Sequence, residues 1–142
     1  MKKINLELQL FGKIELKYNE EYEELVHKLK KCILKLEEGY ERMTNNQREI
    51  FHAVSYITVL RKNKSKKFQA CAKQGIKTIE FNPVSIMKNK TGGLIWLICH
   101  ESYHIWDTVL ERREGNANLF ANKIKILFEK EPAIYKWNLP SK

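Results

Sequence analysis

The chain has 142 residues, of which 43% are hydrophobic and 30% charged, with a formal net charge of +9 at pH 7. This length suits one domain with a buried core, and the composition excludes a disordered or fibrous chain. We therefore expect a single domain over residues 1–142. Since no apolar run approaches the roughly 20 residues that span a bilayer, we expect no membrane-spanning helix and no membrane partner.

The cysteines and the first residues both indicate the cytosol. Cys32, Cys71 and Cys99 are odd in number and far apart, as is typical of thiols in a reducing compartment. Glu7 interrupts what would be the apolar region of a signal peptide, and no small-residue cleavage site follows. We therefore predict a cytoplasmic protein.

The positive charge favours acidic partners, but the lysines are spread along the whole chain. Their densest cluster, residues 61–67, lacks the interleaved aromatic side chains of a single-strand nucleic-acid surface. We interpret this cluster as a solvated hairpin tip, with a nucleic-acid site as the weaker alternative.

The first elements in chain order are an arm and a helix. Residues 1–17 mix apolar and polar side chains, and we expect an extended N-terminal arm. Asn19 is a typical helix N-cap, followed by four glutamates where the helix dipole favours negative charge. Apolar residues recur at helical spacing from Tyr22 to Leu36, and Gly39 is the expected stop. This predicts a helix that packs into the core and carries no chemistry.

The middle of the chain predicts a three-stranded sheet. Residues 47–60 are ambiguous at first, but 56–60 are aromatic and β-branched and indicate a strand. Residues 68–73 and 76–81 predict two more strands. Asn82-Pro83 ends the last one, because proline cannot continue the ladder of hydrogen bonds.

Two helices follow, which makes the predicted class α+β. The first runs from Gly92 to about Trp106, with Thr91 as its cap. The second spans roughly residues 114–130, and Pro132 stops it.

Residues 100–104 read His-Glu-Ser-Tyr-His. Two histidines four apart lie on one face of a helix, so both imidazoles can reach one zinc ion at about 2.0–2.1 Å. Glu101 points to the side of the metal and can act as a general base on a zinc-bound water. Because histidine and glutamate are a poor choice for packing in so apolar a helix, we predict a Zn²⁺ site.

A catalytic zinc usually takes three protein ligands and one water, and two residues compete for the third position. Asp107 shares the helical face of His100 and His104. Glu114 is separated from His104 by nine residues, and in one straight helix it would lie about 15 Å further along the axis. Ligation by Glu114 therefore requires a turn between Ile105 and Arg113, a segment without glycine or proline.

These motifs together resemble the gluzincin-type zinc peptidases, and most of all the ImmA/IrrE-like peptidases of mobile elements and phages. The shared features are a strand ending in Asn-Pro, a His-Glu-x-x-His helix, and a second helix opening Glu-x-x-Ala-Asn-x-Phe-Ala, over about residues 76–128. The resemblance implies a small zincin-like domain and favours Glu114 over Asp107. It implies these roles: His100, His104 and Glu114 bind zinc, Glu101 acts on the water, and Asn118 supports a ligand.

A peptidase also needs a donor for the developing oxyanion. The candidates are Tyr103, His52 and Tyr135, and the sequence does not choose among them. The opening residues 4–12 are similar to the start of many phage head-gene products, which fits a phage or prophage origin and a virion-associated location.

We therefore expect a zinc metallopeptidase that acts on a protein or peptide, with strand 76–81 as an edge on which an extended substrate pairs. One alternative is a non-catalytic, metal-stabilised virion-associated or regulatory binding protein, in which Asp107 and Glu114 both bind the metal. The other is a basic nucleic-acid-binding module, marked by steep salt dependence without a metal requirement.

Overall fold

The computed structural model describes residues 1–59, 69–107 and 114–129. These residues form five strands and five α-helices, which confirms the α+β class. Short 3₁₀ turns occupy Glu20–Tyr22, Tyr40–Arg42 and Gln74–Ile76. In chain order the elements are β1 (Lys2–Leu8), β2 (Gly12–Tyr18), α1 (Glu23–Glu38), α2 (Asn45–His52), β3 (Tyr56–Val59), β4 (Ala70–Lys73), β5 (Thr78–Phe81), α3 (Pro83–Lys88), α4 (Thr91–Trp106) and α5 (Glu114–Glu129).

The sheet has five strands in the order β1-β2-β3-β5-β4, so the prediction of three strands is wrong. The two outer pairs, β1–β2 and β4–β5, are antiparallel, whereas β2–β3 and β3–β5 are parallel. In the register of the pairing, Leu16, Ile57, Ile79 and Ala72 lie side by side across four strands. All four are buried, so this face of the sheet carries the core and the helices pack on it.

The N-terminal residues are a β-hairpin rather than an extended arm. The alternation of half-buried Ile4, Leu6 and Leu8 with polar neighbours is the period-2 pattern of a strand, which the mixed composition obscured. Gly12 allows the reversal, because its φ of +72° is a conformation that favours glycine. A Cβ at Gly12 would also lie 2.7 Å from Cε1 of His52, so the turn packs on the end of α2.

Helix α1 follows the predicted period but begins later than expected. Asn19 precedes the 3₁₀ turn and its side chain makes no capping hydrogen bond. Gly39 ends the helix as predicted, with φ of −88°. Glycine is needed there for space, because a Cβ would lie 2.8 Å from Cζ of Phe128 on α5.

Two short helices were not predicted, although both have local signals. Thr44 and Gln47 form a capping box at the start of α2: Thr44 Oγ1 accepts from Gln47 N at 3.2 Å, and Gln47 Oε1 accepts from Thr44 N at 2.9 Å. Asn82 Oδ1 accepts from Val84 N at 3.0 Å, and Pro83 occupies the first turn of α3. Asn82-Pro83 therefore ends β5 as predicted and also begins a helix.

Helix α4 is the central element of the fold. It contacts α1, α2, α5, β4 and β5, and it begins within one residue of the prediction, with Lys90 rather than Thr91 as its cap. Helix α5 begins at Glu114 as predicted and packs along α4 through buried Ala117 and Ala121, whose small side chains permit close approach. Within the described ranges, no helix has both the length and the apolar composition needed to cross a bilayer.

Glu37 of α1 holds the hairpin turn in place, which gives a test of the fold. Its two carboxylate oxygens each accept a hydrogen bond at 2.8 Å, from Gln9 N and from Leu10 N. Replacing Glu37 with alanine leaves two amide groups without this acceptor, and we expect the free energy of unfolding to fall by about 1–3 kcal/mol. Urea denaturation measures the change. Glu38→Ala, at an exposed neighbouring position, is the control, and equal stability of the two variants would contradict the assigned role.

Candidate metal centre

The predicted motif lies in the last turns of α4, and the chain leaves the helix axis directly after them. Helix α4 ends at Trp106, and Asp107 has an extended backbone with φ of −75° and ψ of 104°. Gln74 Nε2 donates a hydrogen bond of 2.7 Å to the carbonyl of His104 and another to the carbonyl of Asp107. The connection between β4 and β5 therefore fixes the end of the helix. Because α4 and α5 are separate helices, Glu114 can return to the two histidines.

Glu114 bridges the two imidazoles. Its Oε2 lies 2.9 Å from His100 Nε2, and its Oε1 lies 3.0 Å from His104 Nε2. The two rings are 4.8 Å apart between centroids and inclined by 75°. His100, His104 and Glu114 each contribute one potential ligand atom, and these three atoms all lie within 4.8 Å of one another.

This group fits a divalent transition metal ion. Around a tetrahedral zinc with bonds of about 2.0–2.1 Å, the donor atoms lie about 3.3 Å apart. The two imidazole–carboxylate distances are slightly shorter than this, and all three potential ligand atoms lie within 4.8 Å of one another. His104 Nε2 is buried and makes no hydrogen bond to the described residues, although Glu114 Oε1 lies 3.0 Å away. Two imidazoles and a carboxylate are also the donor types that zinc accepts.

The electrostatics favour the protonation states that a metal needs. Burial is the main cause that lowers the pKa of His100, and nearby His104 lowers it further, against the opposing effects of Glu114 and Asn118. Burial alone would raise the pKa of Glu114, but the two histidines outweigh it and lower the value. Neutral pH therefore favours an uncharged His100 and an ionised Glu114, which are the forms that bind metal.

Glu101 lies beside the group without belonging to it. Its side chain is buried, and its Oε2 is 3.8 Å from His100 Nε2. Among the described residues, the group of potential ligands consists of His100, His104 and Glu114. Neither Glu101 nor Asp107 belongs to this group. This position suits a general base next to a metal ion rather than a ligand of the ion.

Two side chains, Asn118 and Trp96, act on His100, and Asn122 contacts Trp96. Sequence reasoning identified only Asn118. Asn118 raises the pKa of His100 against the larger effect of burial, so it acts on this histidine from α5. Trp96 stacks on the His100 ring, with centroids 5.1 Å apart and ring planes inclined by 23°. Trp96 Nε1 also donates to Oδ1 of Asn122 at 3.1 Å. The signal that could have found them is their spacing, because Trp96 lies four residues before the predicted ligand His100 and Asn122 lies four residues after the predicted supporting residue Asn118.

The structure places two of the three predicted oxyanion donors, Tyr103 and His52, in different surroundings, and the Tyr103 ring lies 6.4 Å from that of His104 between centroids. The ring of Tyr103 packs against Trp106 and Phe120, with centroid distances of 5.6 and 5.9 Å. It lines a cavity of about 490 Å³ shared with α2 and α5. His52 lines a different cavity, of about 650 Å³, near the turn of the N-terminal hairpin. Tyr135 lies outside the described residues.

Comparisons of the chain with models of known protein families, with curated proteins and with solved structures gave no match. The resemblance to gluzincin-type and ImmA/IrrE-like peptidases therefore stays a prediction. Function must be inferred from the geometry around His100, His104 and Glu114.

The two competing third ligands can be separated by mutation. Glu114→Ala removes one of three donors, so we expect zinc affinity to fall by more than the about 10–100-fold that loss of a supporting residue costs. Asp107→Asn keeps the size of a buried residue outside the group and should leave the affinity unchanged. Competition titration with a chromogenic chelator measures both. Loss of binding in Asp107→Asn, with retention in Glu114→Ala, would reverse the assignment.

Proposed function

We propose that the protein is a zinc-dependent metallopeptidase that hydrolyses peptide bonds in a protein or peptide substrate. The observation that carries this proposal is the convergence of Glu114 on both histidines, at 2.9 and 3.0 Å. The three residues come from two separate helices, so their meeting depends on the fold and not on the local motif alone.

Two features favour a catalytic centre over a structural one. Structural zinc sites are usually closed by four protein ligands, whereas catalytic sites have three and leave a position for water or substrate. The group within the described part of the chain has three members. Glu114 is also 58% exposed in its side chain, whereas both histidines are buried. Substrate can therefore approach from the side of Glu114.

Glu101 supplies the proton transfers in this proposal. A zinc ion, when bound, supplies a Lewis acid that polarises the scissile carbonyl and makes water a stronger acid. The Glu101 carboxylate, 3.8 Å from His100 Nε2, accepts the proton of the attacking water and then passes it to the leaving amine. Its burial keeps it out of bulk solvent, where competing proton exchange would be fast.

The edge for substrate pairing is β4, which corrects the prediction made for residues 76–81. Strand β5 lies between β3 and β4 and is paired on both sides, so it offers no edge. Strand β4 ends the sheet among the described strands and contacts α4, the helix of the motif. An extended substrate pairing along Ala70–Lys73 would therefore lie next to that helix.

A metal-stabilised binding protein would add Asp107 to the three donors, and Asp107 lies outside the group of potential ligands among the described residues. The basic cluster behind the nucleic-acid alternative, residues 61–67, lies outside the described residues. A cytoplasmic location, a phage origin and a protein partner remain predictions.

Glu101→Gln separates catalysis from metal binding. The amide keeps the size of the side chain but cannot accept the proton, so we expect hydrolysis to fall by about 10²–10⁴-fold. Zinc content should stay near that of the unmodified protein. Release of fluorescence from a quenched, unfolded protein substrate measures activity, and atomic absorption measures the metal.

His100→Ala is the reference for loss of the metal itself. If Glu101→Gln retains full activity, Glu101 is not the base. If the unmodified protein holds zinc but cleaves no unfolded or folded substrate, the peptidase proposal is wrong.

A further inference from the structure

Two helices present matched residues at every fourth position. On α4 these are Trp96, His100 and His104, and on α5 they are Glu114, Asn118 and Asn122. The helices α4 and α5 are antiparallel along this contact, so the last residue of the first set lies beside the first residue of the second. The pairs are His104 with Glu114, His100 with Asn118, and Trp96 with Asn122.

We propose that Trp96 is a positioning residue of the metal centre. It fixes the plane of the His100 imidazole by stacking, and through Asn122 it fixes the register of α5 that places Glu114. The proposal rests on the metal site proposed above. It goes beyond that site, because Trp96 is not a metal ligand and lies outside the predicted His-Glu-x-x-His motif.

The stacking contact replaces the hydrogen bond that usually orients a histidine ligand. Such a histidine ordinarily donates from its second ring nitrogen to a carboxylate, a carbonyl or water. In the part of the chain that the structure describes, Nδ1 of His100 is buried and has no hydrogen-bond partner. The nearly parallel Trp96 ring, 5.1 Å away and inclined by 23°, instead restricts rotation of the imidazole about its axis.

The hydrogen bond from Trp96 to Asn122 acts on the other helix. Asn122 is eight residues beyond Glu114, or about 12 Å along α5. A slip of α5 by one turn would move Glu114 by about 5.4 Å, which is enough to remove it from both histidines. Because the indole Nε1 has a single N–H and meets Asn122 Oδ1 at 3.1 Å, the bond selects one register.

The experiment measures metal affinity in variants that remove the two contacts separately. Trp96→Phe keeps an aromatic face but loses the N–H, and Trp96→Leu loses both. Asn122→Leu removes the acceptor, whereas Asn122→Asp retains an acceptor oxygen. Trp106→Phe is the control, because Trp106 lies on the same helix, is 37% exposed and contacts Tyr103 rather than His100.

We expect Trp96→Leu to weaken Zn²⁺ binding by about 10–100-fold, as other residues that orient metal ligands do. Trp96→Phe and Asn122→Leu should each show part of this loss, while Asn122→Asp and Trp106→Phe should bind as the unmodified protein does. With Co²⁺ as a spectroscopic probe, the visible absorption bands should change in Trp96→Leu and be largely restored in Trp96→Phe. A packing role alone would lower stability in urea without changing these bands.

The outcomes separate this proposal from the proposed function. If the unmodified protein binds Zn²⁺ and Trp96→Leu binds it equally well with unchanged Co²⁺ bands, Trp96 does not position His100, although the metal centre stands. If the unmodified protein binds no Zn²⁺, both proposals fail. If Trp96→Leu does not fold, equal Zn²⁺ affinity of Asn122→Leu and Asn122→Asp, together with undiminished Zn²⁺ affinity in Trp96→Phe, would overturn the positioning role.

Discussion

The contact on which the site depends is the packing of α5 against α4. It brings a carboxylate from one helix to two imidazoles on the other, with Glu114 within 3.0 Å of His104 Nε2 and 2.9 Å of His100 Nε2. The two histidines are buried in a helix that is otherwise apolar, where polar groups without partners are costly. Glu114 offsets that cost in part, and a bound cation would offset the remainder.

The rest of the fold can be understood as support for this pair of helices. Helix α4 contacts two strands and three helices, and Gln74 holds its last carbonyls. Small residues then allow α5 to approach. Ala117 and Ala121 are fully buried between the helices, and Gly39 leaves room for the ring of Phe128 at the far end of α5. The geometry of the candidate metal centre therefore depends on the packing of the core, although its three potential ligands lie on only two helices.

Patterns within short stretches of the sequence predicted the features that depend only on the spacing of neighbouring residues. The start of α5 at Glu114 follows from periodicity, as does the shared face of His100 and His104. The fold departs from the predictions where pairing is long-range. The N-terminal hairpin joins the sheet through β2 and β3, which are separated by α1 and α2, and no local pattern reveals such a partner. Trp96 was missed because an aromatic residue in an apolar helix is indistinguishable from a core residue until its neighbours are known.

The most direct test of the central claim is a crystal structure of the zinc-loaded protein with data collected on both sides of the zinc absorption edge. We expect one anomalous peak at about 2.0–2.1 Å from His100 Nε2, His104 Nε2 and a carboxylate oxygen of Glu114. The Glu101 carboxylate should face the fourth position without binding the ion. Absence of zinc from this place in fully loaded crystals, or a peak held by other residues, would contradict the account.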